Sequence, residues 1–247
     1  MSHPFMGTPT LPFDTIANGH PTPVKKDIQK ELASLPEPRK HYKLYYSTEE
    51  AASEMDNPQD GLLEFLRGYY HLKSADWEGN DPHPLKEWNA SELSKLPNYY
   101  VMPLKEGMRE SVKYVMAKED PEIVSKRGNR WLPDNEIQVY VEAFKQNGFQ
   151  GGLNYYRVGS SPEYMKDVEL FAGRKIDIPS IFISGKQDWG TYQEPGGFEK
   201  MAEVCTKYKG GQLVDGAGHW VQQEQPERVS ELIADFLRQI NVDAISH

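Results

Sequence analysis

The amino-acid sequence predicts an α/β protein in which a mainly helical region precedes two parallel strands and their helices. One observation is the alternation of strand, helix, strand and helix patterns over residues 178–184, 198–207, 211–215 and 227–240. Such alternation is typical of a parallel sheet with right-handed crossovers. The other is the change of character at Arg174, before which apolar residues recur at helical spacing. We therefore divide the chain into a helical region, residues 1–173, and an α/β region, residues 174–247.

Two segments of the helical region have a strong one-sided apolar pattern. Residues 59–73 and 134–147 each place leucine, isoleucine or aromatic side chains on one face of a helix. Pro133 precedes the second helix and Gly148 follows it, as is favoured at helix starts and ends.

Weaker elements are predicted around these helices. Residues 1–38 are predicted to form a proline-rich loop that contains a short helix at 26–35, closed off by Pro36 and Pro38. Ser47 or Thr48 is expected to cap a further helix. Three other features are a long excursion over residues 74–97, a helical turn at Ser91 and a tyrosine-rich helix or turn over residues 151–157.

Composition excludes several classes of function. The chain has 28 Lys and Arg against 37 Asp and Glu, a formal net charge of −9, and it lacks the basic patch that nucleic-acid binding requires. Its single cysteine, Cys205, rules out an intramolecular disulfide. No apolar run is long enough to span a membrane, and the N-terminus lacks a signal-peptide pattern. A cytoplasmic protein is expected.

A carboxylate follows the first predicted strand. Residues 178–184 run into Gly185-Lys-Gln-Asp188-Trp-Gly190, and catalytic groups of open parallel sheets collect at the carboxyl ends of the strands. Asp188 there can orient a histidine and stabilise its imidazolium form. An aspartate in an ordinary surface turn is the alternative. Asp188 is not predicted to be a nucleophile on a sharp elbow. Such a turn needs small residues two positions before and two positions after the nucleophile, and Lys186 stands two positions before Asp188.

A histidine follows the second predicted strand. Asp215-Gly-Ala-Gly-His219-Trp surrounds His219 with glycines, which let the loop turn and carry the imidazole into a cleft. The order of strand, acid, strand, histidine and closing amphipathic helix is much more specific than a lone histidine. We predict that Asp188 and His219 form a catalytic pair.

These motifs resemble the end of α/β-hydrolases of the soluble epoxide hydrolase family. Residues 130–157, from Arg-Trp-Leu-Pro to Asn-Tyr-Tyr-Arg, are similar to the cap segment of that family. The resemblance implies two cap tyrosines that bind and protonate the epoxide oxygen. By the match these are Tyr156, in Asn-Tyr-Tyr-Arg, and Tyr42, in Tyr42-Lys-Leu-Tyr-Tyr46. Without the resemblance, both would be assigned to lid packing.

The resemblance also implies a reaction. A hydrolase acting on ether bonds would open a small apolar epoxide through an alkyl-enzyme ester, and His219 held by Asp188 would activate the water that releases a vicinal diol. No metal and no organic cofactor is required. The oligomeric state is left open.

The sequence departs from the family pattern in one large respect. Family members begin with several strands, a His-Gly-x-Pro loop and an elbow with a nucleophilic aspartate, and none of these is found in residues 1–247. The fold expected is an incomplete α/β-hydrolase fold: a mainly helical cap followed by the last two parallel strands and helices of the sheet domain. We expect a truncated or mis-started chain that is inactive by itself and marginally folded, because one edge of a two-stranded parallel sheet stands open.

Two alternative functions remain. A dehalogenase or esterase could use the same fold, since the missing elbow cannot distinguish an aspartate from a serine nucleophile. A non-catalytic binding module with an aromatic pocket would bind an epoxide or diol without converting it.

Overall fold

The computed structural model describes residues 27–57, 61–161, 163–164, 171 and 173–245, so residues 1–26 of the loop predicted over residues 1–38 lie outside the described residues. The contacts divide the chain into two compact units. Within the described ranges, the helical unit comprises residues 27–72 and 86–173, and the sheet unit comprises residues 73–85 and 174–245. The segment 73–85, which the sequence analysis assigned to the helical region, thus packs with the α/β region.

Helices make up most of the helical unit. They are α1 (Ile28–Ala33), α2 (Tyr42–Ser47), α3 (Glu50–Asp56), α4 (Leu62–Lys73, whose last residue belongs to the sheet unit), α5 (Ala90–Leu93), α6 (Met108–Met116), α7 (Pro121–Gly128), α8 (Asp134–Asn147) and α9 (Gln150–Ser160). Two short strands, β1 (Arg39–His41) and β2 (Val101–Pro103), pair antiparallel. The centre of this unit is apolar, with fully buried side chains at Leu32, Leu93, Val101, Met102, Met108 and Ile137.

Most helices predicted for this region are confirmed. The segments 26–35, 59–73 and 134–147 form α1, α4 and α8, the turn at Ser91 lies in α5, and residues 151–157 lie in α9. Residues 59 and 60 are outside the described residues. The strands β1 and β2 were not predicted, because three residues are too few to display an alternating pattern.

The cap predicted at Ser47 or Thr48 is wrong. The Ser47 hydroxyl donates to the carbonyl of Leu44 at 2.7 Å, and the Thr48 hydroxyl donates to the carbonyl of Tyr45 at 2.8 Å. Both therefore bond to the last turn of α2, a helix that the sequence analysis did not predict. The next helix, α3, has Glu49 at its N-cap position without a side-chain capping bond.

The sheet unit has two strands and their helices. Its elements are β3 (Ile176–Gly185), a short 3₁₀ helix (Trp189–Thr191), α10 (Gly197–Val204), β4 (Cys205–Val214), α11 (Val221–Glu224) and α12 (Pro226–Ile245). The strands β3 and β4 pair in parallel, with Gly185 opposite Val214. Strand, helix, strand and helix are confirmed in the predicted order. The helix predicted over 198–207 ends earlier, because Cys205 already pairs with Ile176 as the first residue of β4.

The described residues of the sheet unit form two apolar clusters. One cluster joins Phe182 of β3 with Met201 of α10 and Cys205, and a second joins Val214, Ala217 and Leu232. In the described part of the chain, β3 pairs with β4 alone.

Candidate active site

Asp188 lies in the loop that follows β3. Its side chain is 2% exposed and accepts a hydrogen bond from the backbone N–H of Gly190 at 2.7 Å, which starts the 3₁₀ helix. The Ser184 hydroxyl lies 3.4 Å from its other carboxylate oxygen. A carboxylate enclosed in this way is fixed in orientation and cannot meet a substrate directly. The geometry fits an orienting acid and not an exposed nucleophile.

His219 lies in the loop that follows β4 and faces Asp188. Its Nδ1 is 3.1 Å from Asp188 Oδ1 and 3.3 Å from Oδ2. Its backbone N–H donates to the carbonyl of Lys73 at 2.8 Å, which fixes the loop on the 73–85 segment. Because Nδ1 contacts the acid, Nε2 is the nitrogen left for proton transfer. The structure thus brings the two predicted residues together.

Two glycines permit this approach of the loops. A β-carbon at Gly185 would lie 2.1 Å from the carbonyl oxygen of Gly218, and one at Gly218 would lie 2.5 Å from the carbonyl oxygen of Lys73. Both contacts are with backbone, which cannot swing away as a side chain can. A larger residue at either position would push His219 away from Asp188.

Burial and neighbouring charges set the ionisation of the pair. Burial lowers the pKa of His219, and the charge of Lys73 lowers it further, while Asp188 acts in the opposite direction. Burial opposes ionisation of Asp188, but His219 and the Gly190 N–H outweigh it and hold the pKa of this carboxyl below its usual value. The result near neutral pH is an ionised Asp188 beside a neutral imidazole, the form that a general base requires.

Glu224, at the end of α11, is a site residue that the sequence analysis missed. One carboxylate oxygen accepts the N–H groups of Gly218 at 3.0 Å and Trp220 at 3.1 Å, and the other accepts that of Ala75 at 2.7 Å. Burial raises the pKa of Glu224 to about 7 against the effect of these donors. The only sequence signal was its place in the Gln-Gln-Glu-Gln-Pro segment, which follows the loop of residues 215–220 that carries His219, here called the histidine loop.

The two predicted cap tyrosines lie side by side in the helical unit. The ring centroids of Tyr42, in α2, and Tyr156, in α9, are 5.8 Å apart at an interplanar angle of 76°. Burial raises the pKa of Tyr156 well above its ordinary value, so its phenol keeps its proton. The roles of both tyrosines remain a prediction.

The neighbouring tyrosines have other hydrogen-bond partners. The hydroxyl of Tyr45 donates to Glu54 at 2.7 Å, and that of Tyr46 lies 3.2 Å from the hydroxyl of Tyr69. The ring of Tyr46 also contacts that of Tyr156, with centroids 4.9 Å apart and an interplanar angle of 56°. The phenol of Tyr45 is therefore committed to a carboxylate of the cap, which removes one competitor of Tyr42 for the predicted role.

The described residues contain neither a metal-ligating cluster nor a membrane-spanning helix. Residues 27–57, 61–161, 163–164, 171 and 173–245 contain no group of three or more His, Cys, Asp or Glu side chains that could hold a metal ion. No helix in this described part combines the length and apolar character needed to cross a membrane.

Known proteins with similar sequences are epoxide hydrolases. Epoxide hydrolase A of Mycobacterium tuberculosis is 36% identical over 108 residues, and an epoxide hydrolase of Caballeronia sordidicola is 36% identical over 115 residues. The solved structure of Epoxide Hydrolase A from Mycobacterium thermoresistibile has a TM-score of 0.57 and 26% identity. The chain is epoxide hydrolase-like.

The coverage of these matches is partial. The two sequence matches cover 43% and 47% of this chain but 32% and 34% of the relatives, and the structural match covers 89% of this chain and 58% of the solved one. No family model matches the chain. The epoxide hydrolase-like chain thus has part of the α/β-hydrolase fold, and the resemblance seen in its sequence is confirmed.

Proposed function

We propose that this chain carries the general base and the oxygen-binding tyrosines of an epoxide hydrolase that converts a small apolar epoxide to a vicinal diol. The observation that carries the proposal is the contact of 3.1 Å between His219 Nδ1 and the enclosed carboxylate of Asp188. The similarity to proteins named epoxide hydrolase supports the choice of substrate class.

In the first step, a carboxylate attacks one epoxide carbon, the C–O bond breaks, and the electron pair goes to the ring oxygen. Tyr42 and Tyr156 donate hydrogen bonds to that oxygen, and one of them gives it a proton. Because burial raises the pKa of Tyr156, its phenol is protonated before the reaction and can donate a hydrogen bond to the ring oxygen. The attacking carboxylate is not among the residues identified in this chain.

In the second step, the ester is hydrolysed. His219 Nε2 takes a proton from a water molecule, and the water oxygen attacks the ester carbonyl to give a tetrahedral intermediate. When this intermediate collapses, the bond to the substrate oxygen breaks, and the diol and the enzyme carboxylate are released. The proton on the imidazolium then returns to the ionised tyrosine. Asp188 stabilises the imidazolium while it exists. The net reaction is epoxide plus water to diol.

Diol formation from styrene oxide tests the proposal. We would compare the purified 247-residue chain with a fusion that joins it to the first half of the Mycobacterium thermoresistibile enzyme. The chain alone should form no diol, whereas the fusion should. His219→Gln should lower diol formation by the fusion by about 10²- to 10⁴-fold, the range for loss of a general base. His83→Gln, an exposed histidine of the sheet unit, is the matched control.

A second pair of variants tests the tyrosines. Tyr156→Phe should lower ring opening by the fusion strongly, while Tyr155→Phe should not, because the adjacent Tyr155 is 80% exposed. Equal activity of the two variants would contradict the role of Tyr156. Turnover that survives His219→Gln would contradict the role of the Asp188–His219 pair. Binding of styrene oxide with no turnover in the fusion would favour the non-catalytic binding module.

A further inference from the structure

The loop that carries His219 is fastened by a carboxylate outside the Asp188–His219 pair. Gly218 and Trp220 flank His219 in sequence, and both of their N–H groups donate to the same oxygen of Glu224, at 3.0 and 3.1 Å. The N–H of His219 itself donates to the carbonyl of Lys73 at 2.8 Å. Three consecutive peptide groups are therefore held at fixed points, two of them by one side chain.

The other oxygen of Glu224 extends this attachment to the 73–85 segment. It accepts the N–H of Ala75 at 2.7 Å, two residues from the Lys73 carbonyl that holds His219. Gly218 lies against the same stretch, since a β-carbon there would come within 3 Å of the backbone of Lys73, Ser74 and Ala75. Glu224 thus joins the histidine loop to the surface on which that loop rests.

The next residue holds the start of the loop. The side-chain amide of Gln225 donates to the carbonyl of Gly216 at 3.1 Å, and Gly216 has a left-handed φ of 69°. This contact lies three residues before His219, whereas the contacts of Glu224 lie on both sides of it. The position of the imidazole therefore depends on Glu224 more directly than on Gln225.

We propose that Glu224 is a positioning residue that sets the distance and angle of the His219 imidazole to Asp188 by holding the peptide groups on either side of it. The importance of Glu224 for catalysis rests on the proposed function, whereas its effect on the position of the imidazole does not. A half-buried carboxylate with three backbone donors cannot be replaced by an amide without loss, because the NH₂ group would meet one of those donors. Glu224→Gln should thus release part of the loop without changing the size of the side chain.

The test is an NMR titration of the full chain with ¹⁵N-labelled histidine, which reads the protonation constant and the tautomer of His219 without any substrate. Glu224→Gln should change the protonation constant of His219 by about threefold or more, because small displacements from Asp188 alter their interaction. It should also speed hydrogen exchange at the Gly218 and Trp220 amides by about tenfold. Glu227→Gln, which removes a charge from an exposed side chain of α12, is the matched control and should change neither.

A conservative variant, Glu224→Asp, serves as a second test. Glu224→Asp keeps the carboxylate but shortens its reach, so it should give a smaller change of the same kind. If Glu224→Gln does not fold, the same comparison between Glu224→Asp and Glu227→Gln decides. A His219 titration that matches the control would overturn the proposal, even if thermal stability falls, because a purely structural role predicts that result. No epoxide is used, so the outcome stands whether or not diol is formed.

Discussion

The ionisation of His219 is controlled by groups with opposite effects. Burial and the charge of Lys73 lower its pKa, and the Asp188 carboxylate raises it. Only the Asp188 contribution favours the imidazolium, which is the form that the proposed proton transfer from water would produce. Asp188 therefore serves two purposes: it orients the ring, and it limits how far burial depresses the basicity of Nε2.

This balance predicts the effect of Asp188→Asn. Removing the negative charge while keeping the shape of the side chain takes away the contribution that raises the pKa of His219, so that pKa should fall further below its ordinary value. An NMR titration of the ring measures it. Asp215→Asn is the control, since Asp215 is exposed and paired with Lys186 at 2.8 Å. A rise in the pKa of His219 in Asp188→Asn would contradict this account.

Asp188 and His219 could be predicted from the sequence because each follows an apolar strand and is flanked by glycine. The role of Glu224 could not be predicted, because its partners are backbone N–H groups and a pattern of side-chain types does not reveal them. Tyr42 was selected among neighbouring tyrosines only by resemblance. The separate hydrogen bonds of Tyr45 and Tyr46 depend on Glu54 and Tyr69, whose proximity arises from tertiary packing.

At the scale of elements, β3 is the strand with the most exposed apolar surface. Ile178 is 70% exposed, and Pro179, which has no N–H to donate, follows it. Proline within a strand is compatible with a sheet edge. In the described ranges β3 pairs with β4 only, so its second edge offers backbone groups for pairing with another strand.

We expect Ile178→Lys to reduce self-association of the purified chain. A charge on an exposed edge strand opposes the pairing of edges between molecules. Light scattering at increasing protein concentration should show the onset of association at a higher concentration than in the unmodified chain. Ile233→Lys, at a 45% exposed isoleucine on the helix α12, should have a smaller effect. The opposite order would show that the helix surface, and not the strand edge, drives association.

The strand cores could be predicted from short apolar runs, but their ends could not. Cys205 to Lys209 is polar enough to pass for the end of a helix, and it becomes strand only because β3 lies beside it. The pairing of β1 with β2 connects residues about sixty positions apart, and a local sequence pattern cannot predict a partner at that distance.

For the whole molecule, stability is divided unequally between the two units. Among the described residues, the helical unit has many fully buried apolar side chains, whereas the sheet unit has two small clusters around Phe182 and Leu232. Because stability rises with the apolar area that a unit removes from water, the sheet unit should be the weaker one.

Thermal unfolding followed by circular dichroism should therefore be broad or occur in two steps. Hydrogen exchange measured by mass spectrometry should assign the earlier step to residues 174–245. One sharp transition with equal protection in both units would contradict the prediction, since it would require a single cooperative structure. Met201→Ala should lower only the free energy of unfolding of the earlier step, by about 2–5 kcal/mol if the cavity left by the side chain does not collapse.

The placement of residues 73–85 in the sheet unit has a consequence for synthesis on the ribosome. This segment emerges before residues 86–173, but the loop of His219, which it contacts through the Lys73 carbonyl, is made only after them. At about 5–20 residues per second, its wait is on the order of ten seconds. During that time all residues of the helical unit are translated and this unit can form, whereas the surface that holds His219 is incomplete. The segment that carries His219, which is translated after residues 86–173, thus determines when the loop around this histidine can adopt its position.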